Sequence, residues 1–251
     1  MNNAAVSIQN LGFKYPGQSA GCFKNLNLEI IKGERFGLFG PNGAGKTTLM
    51  NCMTGLLPYQ QGSIKLSGLE VKTNRKKINK LFGFVPQDFS FYQELSPMEN
   101  LYFFGAWSGM DKPSVKKKAA ELLEVLGLAD VHNKQVQKFS GGMKRRVNLA
   151  IGVIHTPQIL FLDEPTVGVD IHTRQAIISY LKELNKNGTT LIYTSHQLSE
   201  AEDLCNKIAL IDDGKILVHD SLDQLLSDHK EDGLEGLFIN LTGKAYRDAD
   251  V

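Results

Sequence analysis

Over the first thirty positions apolar and polar residues alternate, at Val6 and Ile8 and again at Leu26, Leu28 and Ile30. That is the period of a half-buried strand, and it predicts an antiparallel flank. Lys32-Gly33-Glu34 offers a turn before the next apolar run. From Arg35 the run Arg-Phe-Gly-Leu-Phe-Gly predicts a strand, followed by a glycine-rich turn and an apolar helix from Lys46 to about Thr54. A strand leading into a helix in this way begins a parallel α/β core.

Between about 88 and 158 helical patterns replace the short β-rich runs, which predicts an inserted helical lobe. Ser96-Pro97-Met98-Glu99 supplies an N-cap, a proline at the first helical position and a capping-box glutamate. Val115, Ala119, Leu122, Leu123 and Leu126 fall at helical spacing, with Lys116, Lys117, Lys118, Glu121 and Glu124 on the other face and Gly127 as the stop. The α/β pattern then resumes. Ile159 to Leu162 suits a buried parallel strand, a helix runs from Ile171 to near Gly188, and Thr-Thr-Leu-Ile-Tyr-Thr over 189–194 reads as the next strand. Ile208 to Ile211 and Ile216 to Val218 form a hairpin across Asp212-Asp213-Gly214-Lys215. The expected organisation is one domain over 1–220, with the lobe at 88–158 inserted, and a short tail over 221–251 that forms no separate domain.

At 251 residues, 42% hydrophobic and 22% charged, the composition is globular. A formal net charge of +1 gives no overall pull toward nucleic acid or anionic lipid. The basic runs at Lys72 to Lys80, Lys116 to Lys118 and Lys144-Arg145-Arg146 are short and lack interleaved aromatics, so they read as solvated helix faces, and no nucleic-acid partner is expected. Cys22, Cys52 and Cys205 lie far apart, without zinc or redox spacing. No run of eighteen apolar residues and no secretory leader is visible, so a chain that neither spans a membrane nor enters a secretory route is expected.

The chemistry concentrates at Gly40-Pro41-Asn42-Gly43-Ala44-Gly45-Lys46-Thr47, which satisfies G-x-x-x-x-G-K-[ST] between a predicted strand and a predicted helix. Glycines let successive N–H groups turn inward around phosphate oxygens, and the helix N-terminus adds positive potential. Asn42, Gly43, Ala44, Gly45, Lys46, Thr47 and Thr48 are the expected nucleotide-binding set. Lys46 reaches the terminal phosphates, where it counts among the catalytic groups, and Thr47 is a ligand for Mg²⁺. A second apolar strand delivers Asp163 and Glu164 at its C-terminal end, where open α/β sheets place their ligands. Asp163 suits the Walker B position that holds Mg²⁺, and Glu164 suits a base or water-positioner for attack on the γ-phosphate. ATP and Mg²⁺ are the expected cofactors.

Ser140-Gly141-Gly142-Met143, between the phosphate loop and the Asp163-Glu164 strand, resembles the signature loop of ABC ATPases. With the Gln87 loop, the Pro165 to Asp170 segment and His196, the ordered match covers about 6 to 220. The resemblance implies a P-loop NTPase core with a parallel sheet, an N-terminal antiparallel β flank and an inserted α-helical lobe. It implies that Ser140, Gly141 and Gly142 bind the γ-phosphate of ATP on another subunit's phosphate loop. The working species is then an ATP-sandwich homodimer, or a heterodimer with a related ATPase. By the same resemblance Tyr15 stacks on adenine, Gln87 links Mg²⁺ and the attacking water to the lobe, His196 contacts the γ-phosphate, and Asp170 belongs to the loop crossing the dimer interface. A Ser N-cap at 140 and an Asp N-cap at 170 are the alternative readings of those residues.

Phe139 and Met143 depart from the usual signature, and Gly168-Val169-Asp170 from the usual crossing loop. These variants and the segment Leu234 to Gly243 resemble the type 2 export branch. The implied role is an ATPase at the cytoplasmic face of the cell membrane, powering export through a transmembrane permease in a separate chain. The alternatives are a soluble ABC ATPase of translation or DNA repair and an import ATPase.

Overall fold

The computed structural model describes residues 3–18, 20–195 and 197–243. The chain begins β1 (Ala4–Phe13), β2 (Phe23–Ile31), β3 (Arg35–Phe39), α1 (Lys46–Met53), β4 (Gln61–Leu66), β5 (Leu69–Glu70) and α2 (Arg75–Ile78). It continues through β6 (Phe82–Val85), α3 (Pro97–Trp107), α4 (Lys112–Val125), α5 (Gly141–Val153), β7 (Ile159–Asp163) and α6 (Ile171–Lys186). It ends with β8 (Thr190–Thr194), α7 (Leu198–Leu204), β9 (Lys207–Asp212), β10 (Lys215–Ser221), α8 (Leu222–His229) and α9 (Leu234–Thr242). Two compact units result, one of residues 1–78 and 190–251, the other of 79–189. Among the described residues no helix is long and apolar enough to cross a membrane.

In the first unit β2-β1-β4-β5 form an antiparallel sheet, the flank that the alternation predicts. Val6 faces Ile30 and Ile8 faces Leu28, so the alternating apolar set lies against itself across the pair and is buried. β3 runs parallel to both β8 and β9, and β10 returns antiparallel to β9. Phe36, Leu38 and Phe39 are all fully buried, as a strand covered on both faces requires. The segment expected as a tail continues this unit as α8 and α9, with Leu234, Leu237 and Phe238 buried and the Leu234 N–H donating to the Glu202 carboxylate at 2.7 Å.

The second unit holds the parallel pair β6 and β7 together with α3 to α6. The helices of the expected lobe start as their caps dictate. Ser96 and Glu99 form the reciprocal box, with Pro97 in the first turn of α3. Asp111 caps α4, whose buried stripe is Val115, Ala119, Leu122 and Leu123, and Leu126 and Gly127 close it. Each fully buried Ile or Leu of β7 contributes about 1.5–3 kcal/mol.

β6 and α5 approach so closely that a Cβ on Gly83 would lie 1.9 Å from the Gly152 carbonyl oxygen. Backbone cannot rotate away as a side chain can, so Gly83→Ala should cost about 2–3 kcal/mol. Urea unfolding should show a lowered midpoint; an unchanged midpoint would mean that α5 shifts freely on β6.

Candidate functional site

In the first unit β3 ends at the phosphate loop, and the loop leads directly into α1. Gly45 is the N-cap of α1 at φ 106°, a conformation that side chains resist. Leu49 N–H donates back to the Gly45 carbonyl at 2.8 Å, and Ala44 N–H to the Pro41 carbonyl at 3.1 Å. The β9–β10 turn supports the loop from outside, because Gly214 N–H donates to the Ala44 carbonyl at 3.2 Å. Lys46 is 6% exposed, and its Nζ donates to the carbonyls of Gly40 at 2.7 Å and Pro41 at 3.2 Å. Asn42, Gly43 and Thr47 are exposed, while Ala44 is buried.

Tyr15 stands beside this loop. Its hydroxyl shares a hydrogen bond with the Thr48 hydroxyl at 2.9 Å, and its ring meets Phe13 edge-on with centroids 4.8 Å apart. Burial pushes the Cys22 thiol up, against the lowering influence of Thr48, and Cys52 is pushed up to about 12 by burial and by Cys22.

In the second unit β7 delivers Asp163, 2% exposed, and then Glu164. Glu164 has φ 50°, in the left-handed region that a non-glycine residue occupies only at a cost. That conformation turns the chain sharply at the second carboxylate. Val167 N–H bonds back to the Glu164 carbonyl at 3.4 Å. Asp170 caps α6 through the Thr173 N–H at 2.9 Å and its hydroxyl at 2.7 Å, and these bonds hold its carboxyl below the ordinary range. Ser140 likewise caps α5, accepting from Met143 N–H at 3.3 Å, and its side chain is exposed. The N-cap readings of both residues therefore hold in the structure, Ser140 at the start of α5 and Asp170 at the start of α6.

Gln87 has an exposed side chain, but its backbone is fixed. The Arg145 guanidinium donates from Nη1 to the Gln87 carbonyl, and Asn148 Nδ2 donates to the Pro86 carbonyl at 3.0 Å. The expectation of a solvated basic face fails at Arg145, which is 7% exposed. Burial pulls it below its ordinary value, against the opposing influence of Asp88 and Glu164. Arg145, Asn148, Leu149 and Gly152 share one buried helix face at i, i+3, i+4 and i+7; that spacing in the sequence was the available signal for Arg145.

Of the expected site residues, Tyr15 and the 42–48 loop belong to the first unit, and Gln87, Ser140 to Gly142, Asp163, Glu164 and Asp170 to the second. His196 lies outside the described residues. Around that position, Ser195 Oγ accepts from Gln197 N–H at 2.9 Å, and the buried Glu200 carboxylate accepts from the Tyr193 hydroxyl at 2.6 Å. The proposed metal donors, the Thr47 hydroxyl, Gln87 amide and Asp163 carboxylate, are hard oxygens that suit Mg²⁺. Among the described residues no cluster of three His, Cys, Asp or Glu suggests another metal.

The family model described as ABC transporter matches residues 23–167, more than half of the chain. This protein belongs to the ABC transporter family. The linearmycin resistance ATP-binding protein LnrL of Bacillus subtilis is 42% identical over 194 residues, covering 77% of this chain and 62% of LnrL's own length. The methionine import ATP-binding protein MetN of Clostridioides difficile is 36% identical, covering 84% of this chain and 67% of that one. Nod factor export ATP-binding protein I of a Rhizobium species is 38% identical, covering 89% of this chain and 74% of that one. A dimeric ATP-binding cassette solved in a post-hydrolysis state with ADP and Pi matches at TM-score 0.79 and 27% identity, covering 86% of this ABC chain and 98% of that one. The core, flank and helical lobe are thus those of an ABC ATPase.

The phosphate loop of this ABC protein makes a stability prediction. At Gly45 a Cβ would lie 2.9 Å from the Phe23 ring in addition to opposing the backbone, whereas at Gly43, φ 82°, it would meet nothing within 4 Å. Gly45→Ala should cost about 1–3 kcal/mol and Gly43→Ala about 1 kcal/mol. Thermal unfolding of the two variants should rank them in that order; equal midpoints would show that the Phe23 contact yields without cost.

Proposed function

We propose that the chain is the ATP-hydrolysing motor of an export transporter, paired head to tail with a second copy or a close relative. The pair drives a transmembrane subunit in a separate chain at the cytoplasmic face of the membrane. The observation that carries this reading is the loop over 40–48, with Lys46 buried at the start of α1 and its ammonium held by two loop carbonyls. An ammonium in that position exchanges carbonyl oxygens for the anionic oxygens of a terminal phosphate, replacing a charge–dipole contact by the stronger contact of two opposite charges. The N–H groups around Gly45 and the start of α1 add positive potential to the same place.

Each remaining group then has a task. Tyr15 offers a ring face to the base, an attraction that any base satisfies. Asp163 and Thr47, with Gln87, would hold Mg²⁺, which when bound neutralises charge on the β- and γ-phosphates. Glu164, in a left-handed turn directly after β7, orients the attacking water and accepts its proton. His196 contacts the γ-phosphate. Ser140 and the glycines after it close over the γ-phosphate bound by the paired copy, and Asp170 lies in the loop that crosses to that copy. Two ATP are enclosed, closure pulls on the membrane subunit, and hydrolysis resets it.

Export is supported by the segment Leu234 to Gly243 and by the names of the resistance and Nod factor export relatives. The methionine import relative supports import as the second reading. Tagged chain captured from gently solubilised native membranes should bring down a polytopic membrane protein in stoichiometric amount. A partner of importer type reverses the direction; ribosomes or nucleic acid in its place would remove the transport role.

The chemistry is tested separately. Lys46→Ala should lose productive ATP binding. Glu164→Gln should bind ATP, hydrolyse it at least 10²-fold more slowly, and collect as a closed dimer during size exclusion. Steady-state phosphate release that is unchanged in Glu164→Gln would remove that residue from the mechanism.

A further inference from the structure

We propose that Arg145 is a positioning residue that aims Gln87 from the signature helix. This rests on the reading that Gln87 serves the metal and the attacking water. α5 holds three carbonyls of two different loops: Arg145 Nη1 donates to Gln87, Arg145 Nε to Val167 at 3.4 Å, and Asn148 Nδ2 to Pro86 at 3.0 Å. The guanidinium carbon also lies 4.8 Å from the centre of the Phe89 ring, so the face of the cation is occupied as well as its edge. Both polar side chains are buried, Arg145 at 7% and Asn148 at 1% exposure.

The arrangement locks backbone and leaves a side chain to act. Gln87 is exposed, yet its own carbonyl and the one before it are both fixed to α5. Val167 is three residues beyond Glu164, so the same guanidinium references both chemical loops to one helix. That helix starts at Ser140 to Gly142, where a Cβ on Gly142 would lie 3.4 Å from Thr173 and 3.7 Å from the Asp170 carboxylate. A small rotation of α5 on engagement of Ser140 therefore moves the Gln87 backbone with it. A planar guanidinium donates in two fixed directions, which a lysine ammonium does not reproduce.

The test is a double-mutant cycle on ATP hydrolysis by the full chain with Mg²⁺. Arg145→Gln should lower kcat roughly tenfold with KM for ATP within twofold, because misplacement affects the water and not nucleotide capture. Arg145→Lys should not restore it. In the Gln87→Ala background Arg145→Gln should add less than a twofold loss, since no amide remains to be aimed and the 3.4 Å bond to the Val167 carbonyl is the weaker hold. Asn148→Ala should follow the same pattern with a smaller loss, which keeps the test available where Arg145→Gln folds poorly in urea titration. Losses that multiply in the double variant, or a full rescue by lysine, would overturn the role of Arg145 while leaving that of Gln87 intact. Unchanged turnover in Gln87→Ala, or no hydrolysis by the parent chain, would overturn both.

Discussion

A parallel strand bonded along both edges must be apolar on both faces and can turn only at its ends, and β3 meets that constraint with Phe36, Leu38 and Phe39 fully buried between β8 and β9. Its C-terminal end fixes where Gly40 lies. From there the glycine conformations at 43 and 45, the props from the β9–β10 turn and the start of α1 leave Lys46 little choice of position. Had β3 been an edge strand with one wet face, the loop would have inherited the freedom of a surface turn. The buried ammonium of Lys46 depends on this rigidity, because an unsupported cation would move to water.

The second unit repeats the principle with a helix in place of a strand. α5 lies against β6 at backbone contact distance, as the Gly83 and Gly152 approach shows. A helix fixed that firmly can serve as a frame for loops, and it holds the carbonyls of Pro86, Gln87 and Val167 by side-chain bonds. Burying a guanidinium has a large desolvation cost, which carbonyl dipoles and the Phe89 face offset. Apolar packing alone would not define the direction of those carbonyls.

Much of the fold was legible because it follows local rules. The capping box at Ser96 and Glu99, the stripe from Val115 to Leu126 and the Asp213-Gly214 hairpin depend on residues a few positions apart. The short strands β4 and β5 were not, since only Ile64 and Leu66 are strongly apolar in Gln61 to Leu66 and β5 has two residues, so both are ordered by pairing, β4 with β1 far away in the chain and β5 with β4. Charge read along one dimension misplaced Arg145 among solvated lysines; the helical repeat puts it on the face of Asn148 and Gly152. The left-handed turn at Glu164 leaves no trace in residue type. The turn from β3 into α1 was legible because its glycines, at 43 and 45, stand where the backbone takes positive φ.

The central claim is that a phosphate loop on one copy is completed by the Ser140 loop of another. It is tested most directly by mixing two inactive chains, Lys46→Ala and Ser140→Arg, and measuring phosphate release. In a head-to-tail pair one of the two sites draws its loop from the Ser140 variant and its signature from the Lys46 variant, so both are native there. The account predicts that the mixture regains hydrolysis that neither variant shows alone. A mixture as inactive as its parts would contradict a site shared between two copies of this chain.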